Sequence, residues 1–385
     1  MKQIVLKKIF ILLTILPLAG CWDTNEPERL VYAHGLGIDY KDGEYRIYLQ
    51  IINLRLLAKA EVSSGGAEVK VELGNAKGKT VDEAVNNLYH SSQRVIFWGH
   101  LSFLVFTEEA LKHSTIKGTI DLLDRYRETR YRIWVFTTND PLSKLLVSIP
   151  ILDMSTVLSR LSDPKASFAQ SSIIRPIDMR ELLISLNEPG HEVVLPFLTI
   201  DKDQWTTDKG PHNAIKSNGL AVVTKNKLKG ILTIPQSKGF RWISKEFVRD
   251  QLSVNSKRYS TIDLLIEKKK IKVEPVISDG NISFTIKVKA KAILDQVNLY
   301  INRQIVSSEV EEVIKKEIMK TYLEGLAIDS DIYRLSEVLY RKNVHIWKKV
   351  EHNGKIPLTK ESIRKISVSV NIVNGSKQRQ EPTLE

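Results

Sequence analysis

Cysteine is almost absent: Cys21 is the only one in 385 residues. One thiol cannot close an internal disulfide, so a disulfide-stapled secreted fold is excluded. Long apolar runs are missing too. Ile9–Gly20 is a run of 12 residues, which as a helix reaches about 18 Å against a hydrocarbon core of about 30 Å. No later stretch approaches the roughly 20 apolar residues of a spanning helix.

The marks of common chemistries are also lacking. The eight histidines show no ligand spacing. His191-Glu192 begins like a zinc-protease helix, but no second histidine follows and Pro196 interrupts the segment. There is no Gly-x-Ser-x-Gly elbow. Gly35-Leu36-Gly37 has Tyr40 where a dinucleotide loop needs glycine, and Gly74–Thr80 is one residue short of a phosphate loop. His100, in an apolar stretch, reads as a hydrogen-bonded core histidine. The sequence therefore predicts no catalytic residue, no metal and no cofactor, and an exported hydrolase is disfavoured.

What is present begins at the N-terminus. Lys2, Lys7 and Lys8 precede the apolar run, and Leu18-Ala19-Gly20-Cys21 ends it. This reads as a secretory signal with a bacterial lipobox. The expectation is cleavage before Cys21, which then carries S-diacylglyceryl and N-palmitoyl groups on the outer face of a membrane. Loss of the three signal lysines lowers the formal charge from +12 to +9. Such a basic body is attracted to an anionic leaflet, and export argues against a nucleic-acid partner.

The predicted organisation is a signal peptide over 1–20, a lipidated tether over 21–30, and an N-terminal α+β region over 31–200 with a division near Thr138. A linker over 201–218, a C-terminal α+β region over 219–373 and a polar tail over 374–385 complete it. Asp42-Gly43 predicts a hairpin within Val31–Ile52. Ser63-Ser64-Gly65-Gly66 predicts a loop over 58–67. Thr80 and Glu83 predict a capped helix, Ile96–Thr107 a buried strand, and Leu142–Leu161 and Asp178–Leu186 two helices. Gly219–Ile234 reads as a hairpin. Asp279-Gly280 joins the strand Ile271–Ile277 to Ile282–Ala292. Ser308 and Glu311 predict a second capping box, with Glu311–Lys315 and Glu312–Lys316 pairs outside. Asp329–Arg341 reads as a helix and Ile366–Ile372 as a strand. Strands and helices alternate irregularly, which predicts α+β architecture: two to three mixed α/β domains with antiparallel or mixed sheets.

One surface stands out. Lys268, Lys269, Lys270 and Lys272 sit ahead of one strand, and Lys287, Lys289 and Lys291 line one face of the next. If the strands pair, these lysines form a candidate basic docking patch.

Five segments in order are similar to a known family. They are Gly20-Cys21-Trp22-Asp23 with Glu26; Leu36-Gly37-Ile38-Asp39 followed by Gln50-Ile51-Ile52-Asn53; Gly78-Lys79-Thr80 with Glu83-Ala84 and Leu88-Tyr89; Phe97-Trp98-Gly99-His100; and Gly219-Leu220-Ala221-Val222 with Lys227 and Gly239-Phe240-Arg241-Trp242. The chain thus resembles the Ger(x)C family, the C-subunit lipoproteins of spore germinant receptors, over nearly its whole mature length. The resemblance implies a three-domain mixed fold and a non-enzymatic receptor subunit of the inner spore membrane. It also implies an A subunit with a large soluble part and a polytopic B subunit as partners. Only Cys21 transfers as a functional residue. The rival expectation is an exported lipoprotein that binds a small solute itself.

Overall fold

The computed structural model describes residues 3, 29–52 and 71–374, apart from 149, 154, 209, 279–280 and 295–301. The expected signal peptide, Cys21, the loop over 58–67, the Asp279-Gly280 turn and all but the first residue of the expected tail lie outside the described residues.

β1 (Leu30–Lys41) and β2 (Glu44–Ile52) form the expected antiparallel hairpin. Asp42 and Gly43 take φ of 56° and 82°, as a tight two-residue turn requires. β3 (Val71–Gly78) adds to β2. Thr80 then caps α1 (Val81–Tyr89), its hydroxyl accepting from Glu83 N at 3.0 Å. The Glu83 carboxylate reaches back to Lys79 N at 2.8 Å, one residue before the Thr80 cap, so only the Thr80 half of the predicted box forms as expected.

The single strand expected over Ile96–Thr107 is two strands, β4 (Val95–Phe97) and β5 (Phe103–Thr107), around a 3₁₀ turn at Trp98–His100. The turn buries Trp98, which stacks on Tyr126 at 5.1 Å and donates Nε1–H to the Tyr89 hydroxyl. His100 is exposed rather than in the core. α2 (Glu108–Lys112), α3 (Thr115–Leu123) and β6 (Trp134–Thr138) follow. The helix expected over Leu142–Leu161 shrinks to α4 (Leu142–Leu145) with 3₁₀ turns at Ile151–Asp153 and Thr156–Leu158. Pro150 has no amide to continue a helical ladder. α5 (Pro164–Gln170), β7 (Ile177–Asp178) and α6 (Met179–Asn187) lead into β8 (Glu192–Asp201).

The composition break at 201–218 does not interrupt the sheet. β9 (Thr206–Thr207) and β10 (Gly210–Pro211) form a small ribbon, and β11 (Ala214–Thr224) starts inside the expected linker. β11 runs antiparallel to β8 from Ala214 opposite Asp201 to Thr224 opposite Glu192. With β12 (Leu228–Thr233) it extends the first sheet to the order β12-β11-β8-β6-β5-β1-β2-β3, with β4 beside β1 and β7 beside β6. Alternation splits this sheet between cores. Leu104, Phe106, Val193 and Leu195 pack with α1, α3 and α6. Phe103, Val105 and Leu198 pack under α4. Leu220 and Val222 join a third core shared with the rest of the chain. The hairpin is apolar on both faces, so it belongs to both regions.

α7 (Ile234–Ser237) and α8 (Phe240–Ile243) lead to a four-stranded sheet. β13 (Asp250–Ser256), β14 (Ser260–Ser278) and β15 (Asn281–Leu294) form an antiparallel meander, and β16 (Ile363–Asn374) lies parallel to β15. The parallel return needs a crossover, supplied by α9 (Arg303–Ala327), α10 (Leu335–Lys342) and α11 (Val344–Val350). α9 buries Val306, Val310, Ile314, Ile318 and Tyr322, spaced by four, against Ile286, Val288, Val368 and Val370. Its cap is Asn302 rather than the predicted Ser308: Asn302 Oδ1 accepts from Gln304 N at 3.0 Å. Glu311 pairs with no lysine among the described residues. It accepts from Val370 N at 3.0 Å, while Ser307 donates to Val370 O at 2.6 Å, so α9 side chains occupy the open edge of β16. Glu312 pairs with Lys315 at 2.7 Å instead of Lys316. The helix expected over Asp329–Arg341 begins at α10, because Asp331 turns back to accept from Leu335 N and Ser336 N, both at 2.7 Å. The fold is α+β with mixed sheets.

Candidate functional site, a basic sheet face and the joint behind it

The second sheet carries α9 on one face only. On the other, β14 and β15 set lysines opposite each other: Lys272 faces Lys287, Lys270 faces Lys289 and Lys268 faces Lys291. The first group therefore lies inside its strand, not ahead of it. A bulge between Ile266 and Lys268 changes which residues point inward. Before it Ile262, Leu264 and Ile266 are buried; after it Lys268, Lys270 and Lys272 are exposed. β16 extends the face with Lys365, Ser367, Ser369 and Asn371, aligned with Thr285, Lys287, Lys289 and Lys291. Lys365 is missing from the sequence reading, although its strict alternation with Ile366, Val368, Val370 and Ile372 marks it.

Like charges directly opposite each other destabilise a sheet. Two acids relieve part of this. Glu274 bonds Lys272 at 2.6 Å and Lys287 at 3.4 Å, and Lys272 holds its carboxyl below the usual range. Glu267, in the bulge, bonds Lys291 at 2.8 Å. The central pair, Lys270 and Lys289, has no ion-pair partner among the described residues. Lys269 points the other way. Its ammonium donates to the carbonyls of Trp242 and Ser244, lies 5.5 Å from the Phe247 ring, and burial pushes its pKa down to about 8. It is not part of the basic face.

Behind this sheet lie two charged clusters, the first within the second region and the second joining it to the first sheet. Arg241, 4% exposed, bonds Asp250 at 2.5 Å and Glu317 at 3.0 Å, and Trp242 Nε1–H donates to Glu317 at 2.6 Å. Gly239 allows this approach, since a Cβ there would sit 2.2 Å from Glu317 O. Glu192 opens β8 and accepts from Ser330 Oγ and Asp331 N, both at 2.9 Å, and from Lys355. His191-Glu192, whose first letters suggest a zinc helix, is thus a turn and an inter-region clasp. Cys21 lies outside the described residues. No helix among the described residues is long and apolar enough to cross a membrane.

A mixed α+β body in two regions, sharing one hairpin and exposing one basic sheet face, defines an architecture that comparison with known proteins places. The chain belongs to the GerAC-like spore germination protein family. The family description "Spore germination protein N-terminal domain" matches residues 23–200, and "Spore germination B3/ GerAC like, C-terminal" matches residues 218–375. Its relatives include spore germination protein KC of Bacillus subtilis (strain 168), 24% identical over 89% of both chains. Spore germination protein B3 of the same organism is 23% identical over 94% of this chain and 95% of its own. The crystal structure of the GerBC protein has a TM-score of 0.53 at 19% identity, covering 88% of this chain and 97% of that one. This likeness is one of fold. Membership gives the protein a role in spore germination.

Proposed function

We propose that the protein is a non-enzymatic, lipid-anchored subunit of a nutrient germinant receptor complex, acting beside an A and a B subunit on the outer face of the inner spore membrane. The observation that supports this is the family match across both regions, residues 23–200 and 218–375. Cys21, as S-diacylglyceryl, N-palmitoyl cysteine, is the anchor. Two acyl chains give stable attachment where one gives about 10⁴ M⁻¹, and a tether of about 30 Å keeps the body near membrane-embedded partners. The face bearing Lys287, Lys289 and Lys291 is the docking patch.

The test is co-purification from spores with crosslinks mapped. Membrane subunits should be recovered with the wild-type chain and lost with Lys287→Glu/Lys289→Glu/Lys291→Glu. Cys21→Ala should leave the fold intact and abolish the nutrient response through loss of anchoring. An unlipidated Cys21→Ala chain that germinates like wild type refutes the anchor. A triple variant that retains its subunits refutes the patch.

A further inference from the structure

A recess of about 500 Å³ lies between α5 and the face of the first sheet formed by β6, β8 and β11. Arg160, Ser217 and Gln204 line it on the polar side, and Phe136 and Phe168 on the apolar side. Arg160 is half-buried, and among the described residues it makes no ion pair and no hydrogen bond. Two acids close to the recess hold other partners. Asp201 pairs with Lys216 of the lining at 3.0 Å, and Asp250 holds Arg241 at 2.5 Å while accepting from Ser171 of the rim at 2.9 Å. The Ser217 hydroxyl is buried with no hydrogen-bond partner.

A half-buried cation without a counter-charge gives up part of its hydration uncompensated, and a buried hydroxyl without a partner adds to that cost. Both groups line the same recess. The segment carrying Arg160 is held immediately after it. Leu161 is buried, and Ser162 meets His34 Nε2 at 3.2 Å. The backbone that carries the guanidinium is therefore held in place, which lowers part of the ordering cost of binding.

We infer that this recess binds a small monocarboxylate with an apolar tail, its carboxylate on Arg160 and Ser217 and its tail against Phe136 and Phe168. A guanidinium fork matches a carboxylate in two parallel hydrogen bonds. Only one positive charge is free, since that of Lys216 is taken by Asp201, so a single anionic charge is matched. The volume lies within the range of small-molecule sites. The inference stands independently of receptor membership.

The test uses the full-length lipoprotein in detergent, with calorimetry and thermal melting against 4-methylpentanoate, phenylacetate and the two corresponding primary amides. At least one acid should bind and raise Tm, with its amide at least about tenfold weaker. Arg160→Gln should weaken the acid by at least about tenfold without lowering the ligand-free Tm, and Ser217→Ala should weaken it several-fold. Absence of acid binding at about 10 mM, or equal binding of acid and amide, overturns the site. So does a folded Arg160→Gln chain that binds the acid unchanged. If Arg160→Gln does not fold, the comparison of acid with amide in the wild-type chain decides alone.

Discussion

The Glu192 carboxylate accepts a hydrogen bond from the main-chain N–H of Asp331 at 2.9 Å, linking the first residue of β8 to the turn that starts α10. Glu192 is 4% exposed and also holds Ser330 and Lys355, so one buried acid fastens the second region to the first sheet. Removing one partner of a buried pair costs about 3–5 kcal/mol, because the other is left uncompensated. Glu192→Ala should lower stability by that order in urea unfolding. Glu192→Gln keeps acceptors for Ser330 and Asp331 and should cost less. If Glu192→Ala is no more harmful than Glu192→Gln, the hydrogen bonds from Ser330 and Asp331 add nothing beyond the charge pair with Lys355.

Arg241 should resist conservative replacement. Its two terminal nitrogens serve Asp250 and Glu317 separately, and its guanidinium carbon lies 4.8 Å from the Trp242 ring. A lysine offers one compact charge and no fork. Arg241→Lys should therefore lose most of the roughly 3–5 kcal/mol expected for Arg241→Met. Denaturant melts of both variants give the comparison, and stability close to wild type for Arg241→Lys defeats it.

His34 predicts a pH dependence with a definite sign. It is buried, its Nδ1 is 2.7 Å from Gln50 Oε1, and Gln50 Nε2 donates to Leu146 O at 2.6 Å. With Ser162 donating to Nε2, the ring is neutral and fully used. Burial lowers its pKa below 6.5. Between the folded and unfolded values the unfolded chain binds the extra proton, so stability falls as pH drops below about 6.5 and levels off below the folded value. Tm measured from pH 8 to pH 5 should fall more steeply for wild type than for His34→Gln. Parallel curves would assign the acid sensitivity elsewhere.

Local signals in the sequence carried much of this architecture. Asp42-Gly43, the Thr80–Glu83 cap and the alternation from Ile282 to Ala292 each map onto the element they predict. The motif glycine Gly78 has a steric reason, since a Cβ there would meet Ala84 N at 2.4 Å where β3 abuts α1. What failed was non-local. A polar stretch looks like a linker whether or not the next strand pairs across it, and β11 pairs with β8 through contacts far apart in sequence. Ser308 and Glu311 fit a capping pattern, yet Glu311 is taken by Val370, 59 residues away. The lysine ladder was half legible. Alternation gave Lys287, Lys289 and Lys291, but only the register showed Lys268, Lys270 and Lys272 opposite them. Arg160 and Glu192 carried no periodic signal, because their roles depend on which acids or bases the fold leaves near them.

The central lysine pair yields a prediction in which stability and function move oppositely. Lys270 and Lys289 face each other across β14 and β15 without an acid partner among the described residues. Exchanging a like pair for an opposite one across strands is worth about 0.2–1 kcal/mol each, reduced by screening at an exposed face. Lys289→Glu should therefore raise Tm slightly, and the gain should shrink with added salt. If this face is the docking patch, the same substitution puts a negative charge at its centre, and recovery of membrane subunits from spores should fall. A scaffold residue gives no such pairing of outcomes, since its loss lowers stability and function together. A Lys289→Glu chain that melts higher and retains its partners would leave the ladder as an ordinary solvated face. One that melts lower would show that Lys289 supports the sheet in a way the register does not reveal.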